Sequence, residues 1–316
     1  MAEVHFINVG YGDASLILHA MPDGQKFSML IDCGGKTVGG NPAGPRITAW
    51  KYIKNLGIGR IDIVLLTHLH LDHAGGLLQI AKHFAVGELW TNYIPHMRYW
   101  NGPARAAELG SGPQNLLKSL QIYTGALTIL AANNTRIRLV DAGFSPECLP
   151  MDIRIVTGNP ALYVRQSEIL DDTFKTGADN DLLSKLDGFI NNTSLRAELH
   201  TRGFVFLFTG DIYASEWGRE QISPADVVKI PHHGHTDSMN AAIAEKLKAK
   251  YAIISVSNAR DDCPSRETVC ILESAGARVL FTDVVKTPGH PGGMAHRAII
   301  FRIDGGGLHP EFDIQI

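Results

Sequence analysis

The segment that most constrains the fold is residues 67–76, in which three histidines and an aspartate follow directly on an apolar run. The run from Ile61 to Leu66 is typical of a buried strand, and the residues after it read Thr-His-Leu-His-Leu-Asp-His-Ala-Gly-Gly. Imidazole and carboxylate groups are the ligand types that bind divalent metals such as zinc. A strand end is also a rigid support that can direct several ligands at one point. The segment therefore predicts a metal site at the end of a strand.

Other predicted strands end in the same kinds of residue, namely Asp32, Asp211 and the pair His232-His233. Taken alone, Asp211 could cap a short helix, and the histidine pair could form a packed turn. Asp32 is better suited to orienting a histidine than to binding a metal itself. Together with the first segment, however, Asp211 and the histidine pair indicate a larger set of ligands.

The candidate metal ligands are His68, His70, Asp72, His73, Asp211 and His232. This set suits two adjacent divalent ions, with His68 and His70 on one, Asp72 and His73 on the other, and Asp211 as the bridge. Such a pair of metals activates a bridging hydroxide and stabilises a leaving oxygen. The implied reaction is therefore hydrolysis, most naturally of a phosphoester.

The histidine pair leaves two assignments open, because one ring would bind metal while the other contacts phosphate or protonates the leaving group. We assign His232 as the ligand, since it is nearer to the strand end, and His233 as the catalytic group. Asp72, already a ligand, is the second predicted catalytic residue because it can also orient the hydroxide.

Charge and cysteine content exclude several other classes of protein. The formal net charge of −3 gives no global attraction to nucleic acid or anionic lipid. The four cysteines are widely spaced and form neither a zinc-ribbon pattern nor a disulfide framework. The first residues do not resemble a signal peptide, and no apolar run reaches the ~20 residues of a membrane span. We therefore expect a cytoplasmic protein without a membrane partner, and the sequence does not predict its oligomeric state.

The order of predicted elements indicates the fold class. Strands followed by helices occur twice along the chain, which predicts two sheets packed face to face with helices outside. We expect an α+β fold, a four-layer αββα sandwich, in one domain over residues 1–316. Residues 97–120, with several glycines and prolines, and the polar residues 158–190 are predicted loop insertions.

These motifs together resemble the metallo-β-lactamase superfamily, and within it the hydrolase domain of the ComEC/Rec2 competence proteins. The similar segments are the opening strand and turn at 6–14, the motif at 68–73, Asn192-Thr193-Ser194-Leu195, the strand end at 207–211 and the loop at 228–234. The resemblance spans about residues 4–285 and lacks the membrane channel domain of those proteins. It implies the αββα fold, one or two metal ions, and a phosphodiester or related phosphoester substrate, which includes DNA and nucleotides.

The chain departs from that pattern where many members carry another histidine, near Asn191 and Asn192. The ion on His68 and His70 then lacks one strong ligand, so we expect two zinc ions with manganese as the alternative. His96 or His200 could replace the missing histidine from elsewhere. Three residues in the departing segments are predicted to contact substrate: Asn192, Ser194 and Asn258.

The leading hypothesis is a phosphodiesterase or nuclease that acts through a metal-bridged hydroxide. The alternative within enzymes is hydrolysis of a small ester, lactone or nucleotide-like substrate, because one fold supports many substrates. A non-catalytic scaffold that binds a nucleotide or a partner is the alternative from another class, and the complete ligand set argues against it. The acidic net charge favours a small substrate over long DNA, which normally needs clustered basic residues.

Overall fold

Two β-sheets form the centre of the molecule. The computed structural model describes residues 1–39, 44–104, 108–257, 263–285, 295–304 and 307–314. Within these residues the first sheet contains Ala2–Ile7 (β1), Ser15–Ala20 (β2), Lys26–Ile31 (β3), Arg60–Leu65 (β4), Ala85–Thr91 (β5), Arg136–Leu139 (β6), Ala298–Ile303 (β13) and His309–Phe312 (β14). The second contains Asp152–Val156 (β7), Arg196–Thr201 (β8), Phe204–Phe208 (β9), Val227–Lys229 (β10), Tyr251–Ile254 (β11) and Arg278–Phe281 (β12).

Parallel pairing brings the important strand ends to one edge. The first sheet has the order β14-β13-β1-β2-β3-β4-β5-β6, and the second has the order β12-β11-β10-β9-β8-β7. Strands β3 to β6 are parallel to one another, as are β9 to β12. The register pairs Met29 with Ile63 and Phe206 with Val227. The carboxyl ends of β3 and β4 therefore lie side by side, as do those of β9 and β10.

Helices cover the outer face of each sheet. Over the first sheet lie Ala49–Asn55 (α1), Leu71–Ala74 (α2), Leu77–His83 (α3), Ser111–Ala132 (α4), Pro160–Thr176 (α5) and Asn180–Asp187 (α6). Over the second lie Ala214–Trp217 (α7), Ala241–Leu247 (α8) and Arg266–Ser274 (α9). Short 3₁₀ turns occur at Met97–Tyr99, Ile190–Thr193 and His232–Gly234.

Three layers of buried apolar side chains hold the elements together. The middle layer lies between the sheets, where Phe6 and Phe208 stack with ring centroids 5.8 Å apart. One outer layer joins the first sheet to its helices, and the other joins the second sheet to α7, α8 and α9. Burial of apolar surface on both faces of each sheet is the main stabilising contribution. The predicted four-layer αββα sandwich is confirmed.

The two predicted loop insertions contain long helices. Gly112 and Pro113, two of the residues that suggested a loop, lie in the first turn of α4, where the backbone N–H that proline lacks would have no partner within the helix. One face of this helix, including Leu116, Leu120 and Leu127, is buried against the first sheet. Helices α5 and α6 occupy most of residues 158–190; α6 packs against α4, and α5 packs against α6. These segments are therefore part of one helical layer of the sandwich.

Among the described residues, no helix combines the length and apolar character that crossing a membrane requires.

Candidate metal centre

Strand ends from both sheets meet at the predicted metal site. Residues 66–73 follow β4, Asp211 follows β9, and the 232–233 pair follows β10. Nitrogen or oxygen atoms of Asp72, His73, Asp211 and His233 all lie within 4.8 Å of one another. The ring centroid of His68 is 4.1 Å from that of His73, so the first histidine of the motif adjoins this group.

The hydrogen bonds of His68 fix which of its ring nitrogens carries the proton. The hydroxyl of Thr67 donates to the Asp32 carboxylate at 2.8 Å, so it can only accept from Nδ1 of His68, 3.1 Å away. The proton of His68 is therefore on Nδ1, and Nε2 carries a lone pair. Burial lowers the pKa of His68, so its ring is neutral.

His70 shows the same arrangement with the two nitrogens exchanged. Its Nε2 donates to a carboxylate oxygen of Asp187 at 3.2 Å, which leaves a lone pair on Nδ1. That lone pair faces Nε2 of His68 at 3.1 Å. Two acceptors at this separation repel each other unless a cation lies between them.

His73 and His233 also direct one ring nitrogen inward. The Nδ1 atom of His73 donates to Asp32 at 2.7 Å, and Nδ1 of His233 donates to the backbone carbonyl of Ser255 at 2.9 Å. Their Nε2 atoms face carboxylates, at 3.1 Å from Asp211 Oδ2 and 3.0 Å from Asp72 Oδ2 respectively. With neutral rings, two acceptors would face each other here as well.

A cation must relieve each of these three contacts, and the choice lies between protons and metal ions. Three imidazolium rings would be close neighbours, since the centroids of adjacent rings lie 4.1–5.9 Å apart, and their mutual repulsion is unfavourable. Two donors bound tetrahedrally at the zinc–ligand distance of ~2.0–2.1 Å lie roughly 3.3 Å apart. The observed separations of 3.0–3.1 Å are close to that value, so the residues fit divalent metal ions.

Carboxylates give this centre a strong negative charge. Burial opposes a proton on His73, but the carboxylates of Asp211 and Asp32 outweigh it and raise the pKa of His73. Burial also favours the neutral carboxyl of Asp211, yet the charges of His73 and Lys229 hold its pKa well below the ordinary value. An ionised Asp211 is the form that can bind a metal.

Lys229 is a buried cation beneath the centre. Its ammonium group donates to Asp211 Oδ1 at 3.2 Å, to the backbone carbonyl of Gly210 at 3.0 Å, and also contacts Asp13. The backbone amide of His232 donates to the same oxygen of Asp211 at 2.9 Å. These bonds occupy Oδ1, so Oδ2 is the oxygen that Asp211 presents to His73 and His233.

In the structure, His232 and His233 lie opposite to the way that the sequence suggested. His233 converges with Asp72 and Asp211, whereas the ring of His232 lies outside this group. Nδ1 of His232 donates to Asp237 at 2.7 Å, and its ring is 28° from parallel to that of His235.

The backbone explains why neighbouring histidines can point in different directions. His232 and His233 have φ values of 48° and 53°, both in the left-handed region. This conformation costs roughly 1–2 kcal/mol for each residue other than glycine, and such strain is concentrated at functional sites. Position along the chain alone did not reveal this turn.

Of the three predicted substrate contacts, none is shown to line the cavity. The Ser194 hydroxyl accepts from the Asp211 amide at 3.0 Å and lies 3.4 Å from Nδ1 of His68, behind the ligands. The side chain of Asn192 accepts from the backbone amide of Tyr213 at 3.0 Å. Asn258 lies outside the described residues.

Neither proposed replacement for the missing histidine reaches the centre. His96 accepts from the backbone amide of Arg98 at the start of a short 3₁₀ turn. His200 lies on β8 and contacts Glu198 at 3.3 Å. Within the described residues, the His68–His70 side therefore has two histidines.

A cavity of 470 Å³ opens beside these ligands. Its lining residues are Tyr11, Gly35, Lys36, Thr37, His70, Leu71, Asp72, Gly112, Asn115, Leu116, Asp187, Asp211 and His232. Among the lining residues that the structure describes, Lys36 is the one lysine or arginine, and three are aspartates. Sequence reasoning missed Asp187, because nothing in the polar segment 158–190 marks one carboxylate as different from its neighbours.

Comparison with known proteins agrees with this geometry. The family model described as the metallo-beta-lactamase superfamily matches residues 7–257. ComE operon protein 3 of Bacillus subtilis is 24% identical over 298 residues, which are 89% of this chain and 32% of that protein. The chain thus spans about a third of the length of that relative.

A second relative is closer in length. A UPF0173 metal-dependent hydrolase of Cupriavidus metallidurans is 27% identical over 256 residues, 72% of this chain and 76% of that protein. The solved structure of the metallo-beta-lactamase fold protein YhfI from Bacillus subtilis aligns with a TM-score of 0.46 at 12% identity, covering 92% of this chain and 98% of that one. The match of the family model over most of the chain decides the assignment: this protein belongs to the metallo-beta-lactamase superfamily.

Proposed function

We propose that this metal-dependent hydrolase cleaves phosphoesters, most naturally phosphodiesters of nucleotide size, with two divalent ions held at the candidate metal centre. The observation that carries the proposal is the convergence of ring nitrogens and carboxylate oxygens at 3.0–3.1 Å. Zinc suits these nitrogen ligands, and manganese is the alternative at the His68–His70 side, where the chain offers fewer ligands in total.

Within this proposal, His68 and His70 would hold one ion, Asp72, His73 and His233 would hold the other, and Asp211 would be shared between them. His233 thus takes the ligand role that the sequence analysis gave to His232.

The charges of the nearby groups support two ions. Asp13, Asp32, Asp72 and Asp211 are four carboxylates, and Lys229 compensates one of them through its ion pairs. Three negative charges then remain. One divalent ion would leave this region at −1 and two would bring it to +1, so these charges accommodate two ions with no larger net charge than one ion would leave.

The ions, when bound, supply an activated water and offset charge on the phosphoryl oxygens. The chain supplies the remaining groups. His232 lines the cavity, and its Nδ1 donates to Asp237, so only the imidazolium form of the ring carries a second proton, on Nε2, that can be donated to a leaving-group oxygen. Asp72 lines the same cavity and, in this proposal, would orient the attacking water.

The cavity favours a small substrate over long nucleic acid. Its volume of 470 Å³ lies within the range typical of small-molecule sites. Its three aspartates would repel a continuous phosphate backbone, which normally requires clustered basic residues. Lys36, exposed at this cavity, offers one cation for a second anionic group of the substrate.

The test combines metal analysis with a panel of substrates: a chromogenic phosphodiester, cyclic nucleotides, single-stranded DNA and a lactone. We expect about two divalent ions per chain and hydrolysis of the phosphodiester and the nucleotides. Asp211→Ala should lose metal and activity, whereas Asp152→Ala, an exposed acid on β7, should keep both. Hydrolysis of the lactone alone would overturn the phosphoester assignment, and full activity of Asp211→Ala would overturn the metal scheme.

A separate variant tests the choice of substrate size. Lys36→Met should raise KM for nucleotides with a second phosphate and leave kcat unchanged, because Lys36 lies away from the proposed reacting groups. Cleavage of single-stranded DNA with a KM far below that of nucleotides would contradict a nucleotide-sized substrate.

A further inference from the structure

Asp187 is an acid outside the ligand set that nevertheless contacts a ligand. It is the last residue of α6, its side chain is half-exposed, and it accepts a hydrogen bond from Nε2 of His70 at 3.2 Å. We propose that Asp187 is a positioning residue that holds His70 in its metal-binding tautomer and thereby sets the affinity of the ion on His68 and His70. This inference rests on the proposed two-ion function.

The chemistry follows from the two nitrogens of one ring. A neutral imidazole carries its proton on one nitrogen and a lone pair on the other. The Asp187 carboxylate can only accept, so it fixes the proton of His70 on Nε2 and frees Nδ1, the atom that faces His68. A carboxylate in this position also makes the ring a stronger donor to metal.

This role matters because the ion proposed for His68 and His70 has fewer protein ligands than the other ion. The other three histidines are held from behind by Asp32, by the Thr67 hydroxyl or by a backbone carbonyl, all within the two sheets and the turns that follow their strands. His70 alone among them is held by a helix of the outer layer. Affinity for this ion should therefore depend on where α6 sits.

Local interactions hold α6 in place. The Asp179 side chain caps its first turn by accepting from two backbone amides at 2.9 and 3.0 Å. Leu183 and Leu186 are fully buried in the cluster that α4 shares. The side chain of Asn180 accepts from the Gly110 amide at the start of α4, at 2.9 Å. Rigid support of this kind is what a positioning carboxylate requires.

Gly112 leaves the space that the carboxylate occupies. A Cβ atom at this position of α4 would lie 2.4 Å from Oδ2 of Asp187. Alanine there would force the carboxylate away without altering its charge. Because alanine is favoured over glycine in a helix by roughly 1 kcal/mol, the substitution should not destabilise α4 itself.

The experiment measures zinc binding to the chelator-stripped full chain by competition with a chromogenic indicator. His70→Ala identifies which of the two binding steps belongs to the His68–His70 ion. Asp187→Ala and Gly112→Ala should weaken that step about 10- to 100-fold and leave the other within about 2-fold. Asp187→Asn should lie in between, because an amide oxygen still accepts from Nε2.

Asp181→Asn is the matched control, since it removes an exposed acid from the first turn of the same helix. It should leave both steps unchanged. Unchanged binding in Asp187→Ala and Gly112→Ala would overturn the role of Asp187 and leave the proposed function standing. An equal loss in both steps, with a lowered melting temperature, would show a structural role and also overturn it. Wild-type protein that binds no zinc would refute the proposed function itself.

Discussion

Replacing Lys229 tests whether this buried cation beneath the metal centre compensates the negative charge of Asp13. The ammonium group is 4% exposed and contacts Asp13 and Asp211, which are 6% and 2% exposed. In Lys229→Met, Asp211 keeps its bond from the His232 amide and its proposed metal ions, but Asp13 loses its cation. Breaking a buried ion pair from one side costs about 3–5 kcal/mol. This is a large part of the ~5–15 kcal/mol that stabilises a typical protein.

The sign of the effect of Asp13→Asn should depend on whether Lys229 is present. In the native background, Asp13→Asn should be destabilising because it removes one of the two carboxylates that balance Lys229. In the Lys229→Met background, the same change should be stabilising by roughly 2 kcal/mol, because it removes a buried charge without a partner. The coupling between the two substitutions is then large, as expected for groups in contact.

The assay is urea unfolding of the four proteins at saturating zinc, followed by circular dichroism and accompanied by metal analysis of each protein. If the four proteins contain equal amounts of metal, a difference in their stability comes from the ion pair and not from loss of metal ions. If Asp13→Asn destabilised the protein in both backgrounds, the proposed charge compensation between Lys229 and Asp13 would be refuted.

Two further predictions concern the backbone and pH. Gly210→Ala should cost more than ~2 kcal/mol, because φ is +56° and a Cβ would lie 2.6 Å from that of a buried serine. Gly203→Ala, with φ of +82° and no atom within 4 Å, should cost only the backbone strain, so equal losses in thermal unfolding would contradict the packing argument. The hydrogen bond from His5, aided by Arg302 and opposed by burial, lowers the pKa of Glu3 to about 2. The ionised Glu3 side chain therefore stabilises the folded protein by roughly 1 kcal/mol after solvent screening, and this contribution is present above pH 4.5 and lost as the pH falls towards 2. In unfolding measurements, Glu3→Gln should be less stable than the wild type near pH 6 and match it near pH 2.

The sequence could predict the sandwich because its strands carry continuous apolar runs that end in chemically distinctive residues. It could not place α4 in the core, since the glycines and proline of its first turn resemble a loop. Signals for α5 were present: Asn159 caps the first turn, a proline follows at the first helical position, and Gly177 ends the helix. A polar stretch with few buried residues obscured them.

The sequence by itself determined the kinds of ligand and the strands that carry them, because a strand end and the residues after it are adjacent along the chain. Only the tertiary structure decided which atoms meet. The left-handed turn sends His233 inward and leaves His232 at the cavity, although the two are consecutive. The partners of His70 and His73, Asp187 and Asp211, are 117 and 138 residues away, so their contacts depend on how helices and sheets pack. Local pattern fixes residue type, whereas protonation, orientation and open coordination positions depend on neighbours that packing brings together.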